Sequence, residues 1–247
     1  MDEREINGGK VERQDGWRLS LPVLPAGYAN AQIDDYGGKN GRSAYPWHPG
    51  LTMTLQARFS RPADELLGTA GFGFWNAPFG DPSQRWPALP QAVWFFFGSP
   101  PNDLPLAPQG AGRGWFAATL DATRPHAWGL APLAPAVLML NRLPAVRRRL
   151  WPWVQQRLGI SYTQLTAPLT EWHRYSLKWL HEGCAFAIDG VLVAQTTQSP
   201  RGPLGFVCWL DNQYLVVTPN GRLRWGTLPI EQPQWLEIKT VALTQSG

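Results

Sequence analysis

At 247 residues, with 24 prolines and 25 glycines spread along it, the chain suits one large all-β domain and is poorly suited to long helices. A chain of this size buries about 70 per cent or more of its unfolded surface, so it needs neither disulfide nor metal to stand. Its net charge of +4 has only one basic cluster, Arg147-Arg148-Arg149, which argues against a nucleic-acid groove, where basic residues interleave with exposed aromatics.

Residues 1–16 are polar and are expected to form a flexible segment ahead of a single domain, 17–247. The charged start, Met1 to Glu5, has no apolar segment behind it, the pattern expected of a cytoplasmic protein. Trp17-Arg18-Leu19-Ser20-Leu21 alternates with the period of two of a half-buried strand. Tyr28 to Tyr36 is the next predicted strand and carries the acidic pair Asp34-Asp35. Leu51, Met53, Leu55, Ala57 and Phe59 share one face of a third. Gly68 to Asn76 follows, with Trp75 near its end, and then comes the run Trp94-Phe95-Phe96-Phe97. Continuous apolar runs are expected of strands buried on both faces. Residues 98–124 are loop-rich, with a short strand around Trp115 to Ala118.

The stretch 135–158 differs in composition. Pro135, Pro144 and Pro152 each suit the first turn of a helix and interrupt an interior, so three short helices are predicted. Leu138, Met139, Leu143, Val146, Leu150, Trp151 and Val154 give this insertion apolar surface, and Arg147 to Arg149 a basic edge. It is expected to be a lid on a binding face or, alternatively, a peripheral membrane contact with Trp151 and Trp153 at the interface. No run of 18 apolar residues exists, so no membrane span is expected.

From Glu171 to Gly226 the pattern becomes an antiparallel meander. Tyr175, Leu177 and Trp179 alternate with Arg174, Ser176 and Lys178; Cys184, Phe186 and Ile188 repeat the alternation; and Asp189-Gly190 supplies a tight hairpin turn. A strand to Asp211 and another ending at Trp225 complete it. Cys184 and Cys208 read as neighbours there, as buried thiols or as a bridge. No metal-ligand spacing, phosphate loop or dinucleotide fingerprint is present, so neither metal nor cofactor is expected.

The wording Trp172-His173-x-Tyr175-x-Leu177-x-Trp179, followed by Phe186-x-Ile188-Asp189-Gly190-x-x-Val193, resembles the closing half of concanavalin A-like lectin/glucanase sandwiches. Within that superfamily it is most similar to the laminarinase-like glycoside hydrolases of family 16. The resemblance implies an all-β fold, a jelly-roll sandwich of two curved antiparallel sheets, here with a short helical insertion. It also implies a catalytic strand, Glu-x-Asp-x-x-Glu or Glu-x-Asp-x-Glu, after a Trp-Pro segment. Alternate carboxylates on one strand face suit retaining hydrolysis. Trp86-Pro87 occupies that place here, and the alignment puts Gln91 where the nucleophile belongs and Val93 where the assisting aspartate belongs. Phe95 or Phe96, depending on a bulge, replaces the acid/base, so the hydrolytic machinery is expected to be lost.

The expected ligand-binding residues are Trp75, Gln91, Val93, Trp94, Phe95, Phe96, Trp209, Asn212 and Gln213, lining an aromatic concave cleft. Such a floor suits a hydrophobic or amphiphilic small molecule. Two alternatives stay open: non-hydrolytic acid/base chemistry on an apolar substrate, and carbohydrate binding. Candidates for the acid/base role are Asp34, Asp35, His173 and Asp211. Each also has a purely structural reading, His173 as a core or rim histidine and the aspartates as turn-fixing groups.

Overall fold

The computed structural model describes residues 1–39, 41–78, 86–129 and 131–245. Its strands in chain order are β1 (Asp2–Ile6), β2 (Lys10–Gln14), β3 (Gly16–Leu21), β4 (Asn30–Asp34), β5 (Leu51–Phe59), β6 (Thr69–Trp75), β7 (Gln91–Gly98) and β8 (Gly114–Asp121). After the helices come β9 (Ser161–Gln164), β10 (His173–Leu180), β11 (Gly183–Ile188), β12 (Val191–Thr196) and β13 (Gly205–Asp211). The chain ends with β14 (Gln213–Val217), β15 (Leu223–Thr227) and β16 (Gln234–Gln245).

Seven strands form a first sheet, in the order β1-β4-β13-β6-β7-β8-β9, and seven a second, β12-β11-β10-β5-β16-β3-β2; β14 and β15 make a separate hairpin. Every pairing between neighbours in the sheets is antiparallel. The apolar faces meet in one core, where Phe95 of the first sheet packs against Tyr175 and Phe186 of the second at ring distances of 5.0 and 5.3 Å. Fully burying side chains of this size stabilises by about 1.5–3 kcal/mol each. This is the expected jelly-roll sandwich.

Three expectations about organisation need correction. The first sixteen residues are not a loose segment. β1 pairs with β4 and β2 with β3, so this polar segment extends the edges of both sheets. Its pairing to both sheets is made by main-chain hydrogen bonds, to which side-chain patterning is blind. Val11 is buried, and Glu5 Oε1 accepts its amide at 2.8 Å.

The meander covers only β10, β11 and β12. β13 crosses to the first sheet and inserts between β4 and β6. Cys184 and Cys208 therefore lie on different sheets, both free and both buried in the core. Burial pushes the Cys184 thiol up to about 12.

The insertion has fewer breaks than its prolines predict. A short α1 (Pro125–Trp128) precedes α2 (Ala134–Leu140) and α3 (Pro144–Arg157), and α3 runs through Pro152. Proline removes one helical hydrogen bond, a local cost that tertiary packing can outweigh. That packing is supplied by Trp151, Val154 and Gln155, all buried around the break.

Candidate ligand-binding face

Along β6, Ala70, Phe72 and Phe74 point into the core, which leaves Gly71 and Gly73 on the outward parity. A Cβ on Gly71 would come within 2.3 Å of the Phe95 carbonyl and 2.9 Å of the Trp209 ring. Glycine therefore lets neighbouring indoles close over the strand. Trp209 on β13 lies opposite Gly71, and Phe96 flanks Gly71 from β7. Ring centroids are 5.5 Å apart for Phe96 and Trp209, 5.6 Å for Trp94 and Trp209, and 6.1 Å for Trp75 and Trp94. Trp75 and Trp209 are nearly parallel, at 7°. Trp75 and Trp94 are half-buried, while Trp209 and Phe96 are 8% and 7% exposed.

β4 places polar groups on the same face, since Ala31 and Ile33 turn inward and Asn30, Gln32 and Asp34 turn outward. Gln32 Nε2 donates to Asp34 Oδ2 at 2.8 Å and to the Tyr36 hydroxyl at 3.2 Å. The same hydroxyl accepts Trp75 Nε1 at 2.7 Å, and Arg4 Nε reaches Asp34 Oδ2 at 2.9 Å. This network ties the platform's edge to the N-terminal strand. Arg42 holds the adjoining loop, donating to the carbonyls of Asn76, Ala77 and Trp86.

Asp211 is the outward carboxylate at the other end of β13. Desolvation raises its carboxyl to about 7, although Thr69 and Gln213 each donate to it through both main chain and side chain. Trp209 Nε1 donates to Thr69 Oγ1 at 3.0 Å, and Thr69 Oγ1 donates onward to Asp211 Oδ1 at 2.8 Å. At 1% exposure Asp211 orients an indole.

The structure divides the predicted site residues. Trp75, Trp94, Phe96 and Trp209 come together, with Gln213 beside Asp211. Val93 and Phe95 do not: both are 0% exposed within the core between the sheets. Gln91 sits at the start of β7, where its Oε1 accepts the Gly202 amide at 3.1 Å. Gln91 and Val93 are thus one residue out of phase with the face they were meant to line, because the outward residues of β7 are Ala92, Trp94 and Phe96; of the two positions for the lost acid/base, only Phe96 lies on that face. Asn212 is fully buried and braces loops, accepting the Ala29 amide and donating to the Gly27 and Leu228 carbonyls.

Of the acid/base candidates, Asp34 and Asp211 reach the outward face. Asp35 accepts Trp47 Nε1 and the Phe206 amide, and burial raises its carboxyl. His173 is on the second sheet, with its Nδ1 2.6 Å from the Asp189 carboxylate, so the sandwich separates it from the platform. No cluster of three or more metal-ligating side chains occurs among the described residues.

Sequence reading did not select Asn30, Gln32, Tyr36 or Thr69. The available signal was the spacing Gly71-x-Gly73, which leaves one strand face bare beside tryptophan-bearing neighbours.

No protein-family model matches the sequence, and no curated protein does. Solved structures match the fold. A Crh5 transglycosylase in complex with NAG superposes with a TM-score of 0.50 and 12% identity, covering 98% of this chain and 79% of that one. A Bacillus licheniformis beta-glucanase gives 0.47 and 12%, over 98% and 92%. The carbohydrate recognition domain of Emp47p gives 0.47 and 10%, over 97% and 87%. At such identities the likeness speaks to the fold alone, and that fold is the concanavalin A-like sandwich.

Proposed function

We propose that this concanavalin A-like sandwich is a binding protein for an amphiphilic small molecule, held on the outward face of its first sheet, and is not a glycoside hydrolase. The observation that carries the reading is the meeting of Trp75, Trp94, Phe96 and Trp209 over bare glycines, with Asn30 and Gln32 on the adjoining strand β4. The rings offer apolar area and the amides a hydrogen-bonding edge, the usual division of labour in a small-molecule site. Covering about 200 Å² of ligand gives roughly 5 kcal/mol gross at about 25 cal/mol per Å². The entropy of association is subtracted from that.

Carboxylate placement supports the negative half. Retaining hydrolysis uses carboxyl groups about 5–5.5 Å apart, and inverting hydrolysis about 6.5–9.5 Å. Asp34 pairs with Val207 across the sheet, and Asp211 lies four residues further along that strand. At about 3.3 Å per residue the two stand roughly 13 Å apart. Asp34 is also held in its ion pair with Arg4.

A saccharide is the second reading, favoured by one further observation. Trp94 Nε1 and Asn30 Oδ1 are buried on this face without a hydrogen-bond partner. A hydroxyl can answer both a donor and an acceptor, whereas hydrocarbon answers neither. A pyranose ring adds an apolar C–H face to stack on indole.

Tryptophan fluorescence titration with fatty acids, terpenoids and β-glucan oligosaccharides tests the proposal, alongside a laminarin and lichenan hydrolysis assay. The expected result is saturable quenching by one ligand class, at least about tenfold weaker in Trp94→Ala, with no reducing sugar released. Sugar release by the wild type would overturn the binding-protein reading. Absence of saturable quenching by every ligand would remove the site.

A further inference from the structure

A cavity of about 510 Å³ lies between α3, the loop 103–110 and the turn joining β14 to β15. Its lining includes Asp103, Arg147, Arg148, Trp151, Asn220 and Arg222. It is distinct from the aromatic platform, although the same loop gives Leu104 and Leu106 to the aromatic cluster.

Its walls are fixed by two buried amides. Gln155 Nε2 donates to the carbonyls of Pro105, Leu106 and Ala107 at 3.2, 2.8 and 3.1 Å, which anchors α3 to the loop. Asn141 Nδ2 donates to the Pro219 carbonyl at 3.1 Å, which anchors the hairpin turn to the end of α2. The cavity is therefore a built feature of the helical insertion.

The charged side chains of the lining are three arginines, Arg147, Arg148 and Arg222, against one carboxylate, Asp103. Arg147, Arg148 and Arg222 have no side-chain hydrogen bond or ion pair among the described residues. Trp151 lines the cavity beside them and is only 8% exposed. Guanidinium and indole groups donate and cannot accept. The lining's acid, Asp103, already accepts the Gly112 amide with Oδ1 at 3.1 Å. A neutral hydroxyl can accept from these donors but leaves the arginine charges uncompensated, and a cation is repelled by them. An oxyanion matches both the charge and the fork geometry of arginine. The volume falls within the range of about 300–1,000 Å³ typical of small-molecule sites.

We propose that this cavity binds a small molecule bearing a carboxylate, sulfate or phosphate group, with the oxyanion on Arg147, Arg148 and Arg222 and the remainder against Trp151 and Pro108. Sugar acids, sulfated sugars and phosphorylated metabolites share that chemistry.

Calorimetric titration of the full chain with glucuronate, glucose 6-sulfate and glucose 6-phosphate separates these sources, with glucose as the neutral control. At least one anion is expected to bind saturably at one site, and glucose is not. Arg147→Ala and Arg222→Ala should each weaken binding about tenfold or more, the worth of a hydrogen bond to a charged group. Arg147→Lys keeps the charge but loses the fork, so it should bind more weakly than wild type and more tightly than Arg147→Ala. Arg149→Ala, outside the cavity, should leave affinity unchanged. Circular dichroism of each variant confirms that the fold is retained. Equal weakening by Arg149→Ala would reduce the effect to general positive charge and overturn the site. So would the absence of binding by all three anions, or retention only on phosphatidylglycerol vesicles. The quenching assay on the aromatic platform is independent of these outcomes.

Discussion

In the second sheet, β5 alternates buried Leu51, Met53, Leu55, Ala57 and Phe59 with partly exposed Thr52, Thr54, Gln56 and Arg58, whereas β13 in the first sheet is buried at every position from Gly205 to Asp211. A sheet with one wet face needs only every second residue to be apolar. A sheet covered on both faces must also satisfy each polar group that it buries. The first sheet makes room for indoles with bare glycines and satisfies most of its buried polar groups through the Gln32–Asp34 and Thr69–Asp211 pairs, leaving Trp94 Nε1 and Asn30 Oδ1 unpartnered. Its outward face thus holds aromatic rings and buried polar groups that the central core does not require. That surplus is the feature on which the proposed binding face rests.

The sharpest way to break the comparison is to change neighbouring residues on opposite faces of β7. Phe95→Ala removes a ring that contacts Phe72, Tyr175 and Phe186, and it should cost about 3–5 kcal/mol in a denaturant titration. Trp94→Ala, on the other face, should cost clearly less while weakening ligand quenching. Equal losses of stability would mean that the outward rings are as much core as the inward ones.

Asp211 tests the buried polar groups of the outward face. Its carboxyl is raised to about 7 in the fold, against about 3.9 in an unfolded chain. Stability from the protonated form is therefore complete below about pH 4 and is lost as pH rises through about 7, on the order of 4 kcal/mol at most. Melting temperature followed from pH 4 to 8 should fall more steeply for the wild type than for Asp211→Asn. Asp35, raised in the same direction, is present in both proteins and cancels. Parallel curves would mean that Asp211 is not the group responsible.

Gly71→Ala should destabilise by about 1–3 kcal/mol, as overpacking does. It should also blunt quenching, because the new methyl displaces Trp209. The smallest expected effect belongs to the wet face of the second sheet. Lys178→Ala, at an exposed position of β10, should stay within about 0.5 kcal/mol of wild type by thermal melting.

The same contrast explains what sequence reading captured. Alternation exposed β5, β10 and β11 with their inward faces, because half of their residues face water. Asp189-Gly190 gave the hairpin, since both residues hold positive φ, at 52° and 81°. The aromatic strand Gln91 to Gly98 has no such phase: either parity of Val93-Trp94-Phe95-Phe96 is apolar enough for a core. The alignment consequently put Val93 on the face where Trp94 stands and left Phe95 and Phe96 both open, of which only Phe96 turns outward. β1 and β2 escaped notice because their pairing rests on main-chain hydrogen bonds.

What the sequence determined by itself was the class of fold and the location of most strands, because the burial period and turn residues are local properties of the chain. It also marked the tryptophan-bearing strands as unusual. Only the tertiary structure decided which face of those strands is outward, that β13 leaves the meander to lie between β4 and β6, and that Asn30, Gln32 and Thr69 meet the indoles. It alone brought Arg222 to Arg147 and Arg148 around one cavity. The physical reason is that strand pairing is set by which faces can be buried together, a property of the assembled sheets that no single strand carries.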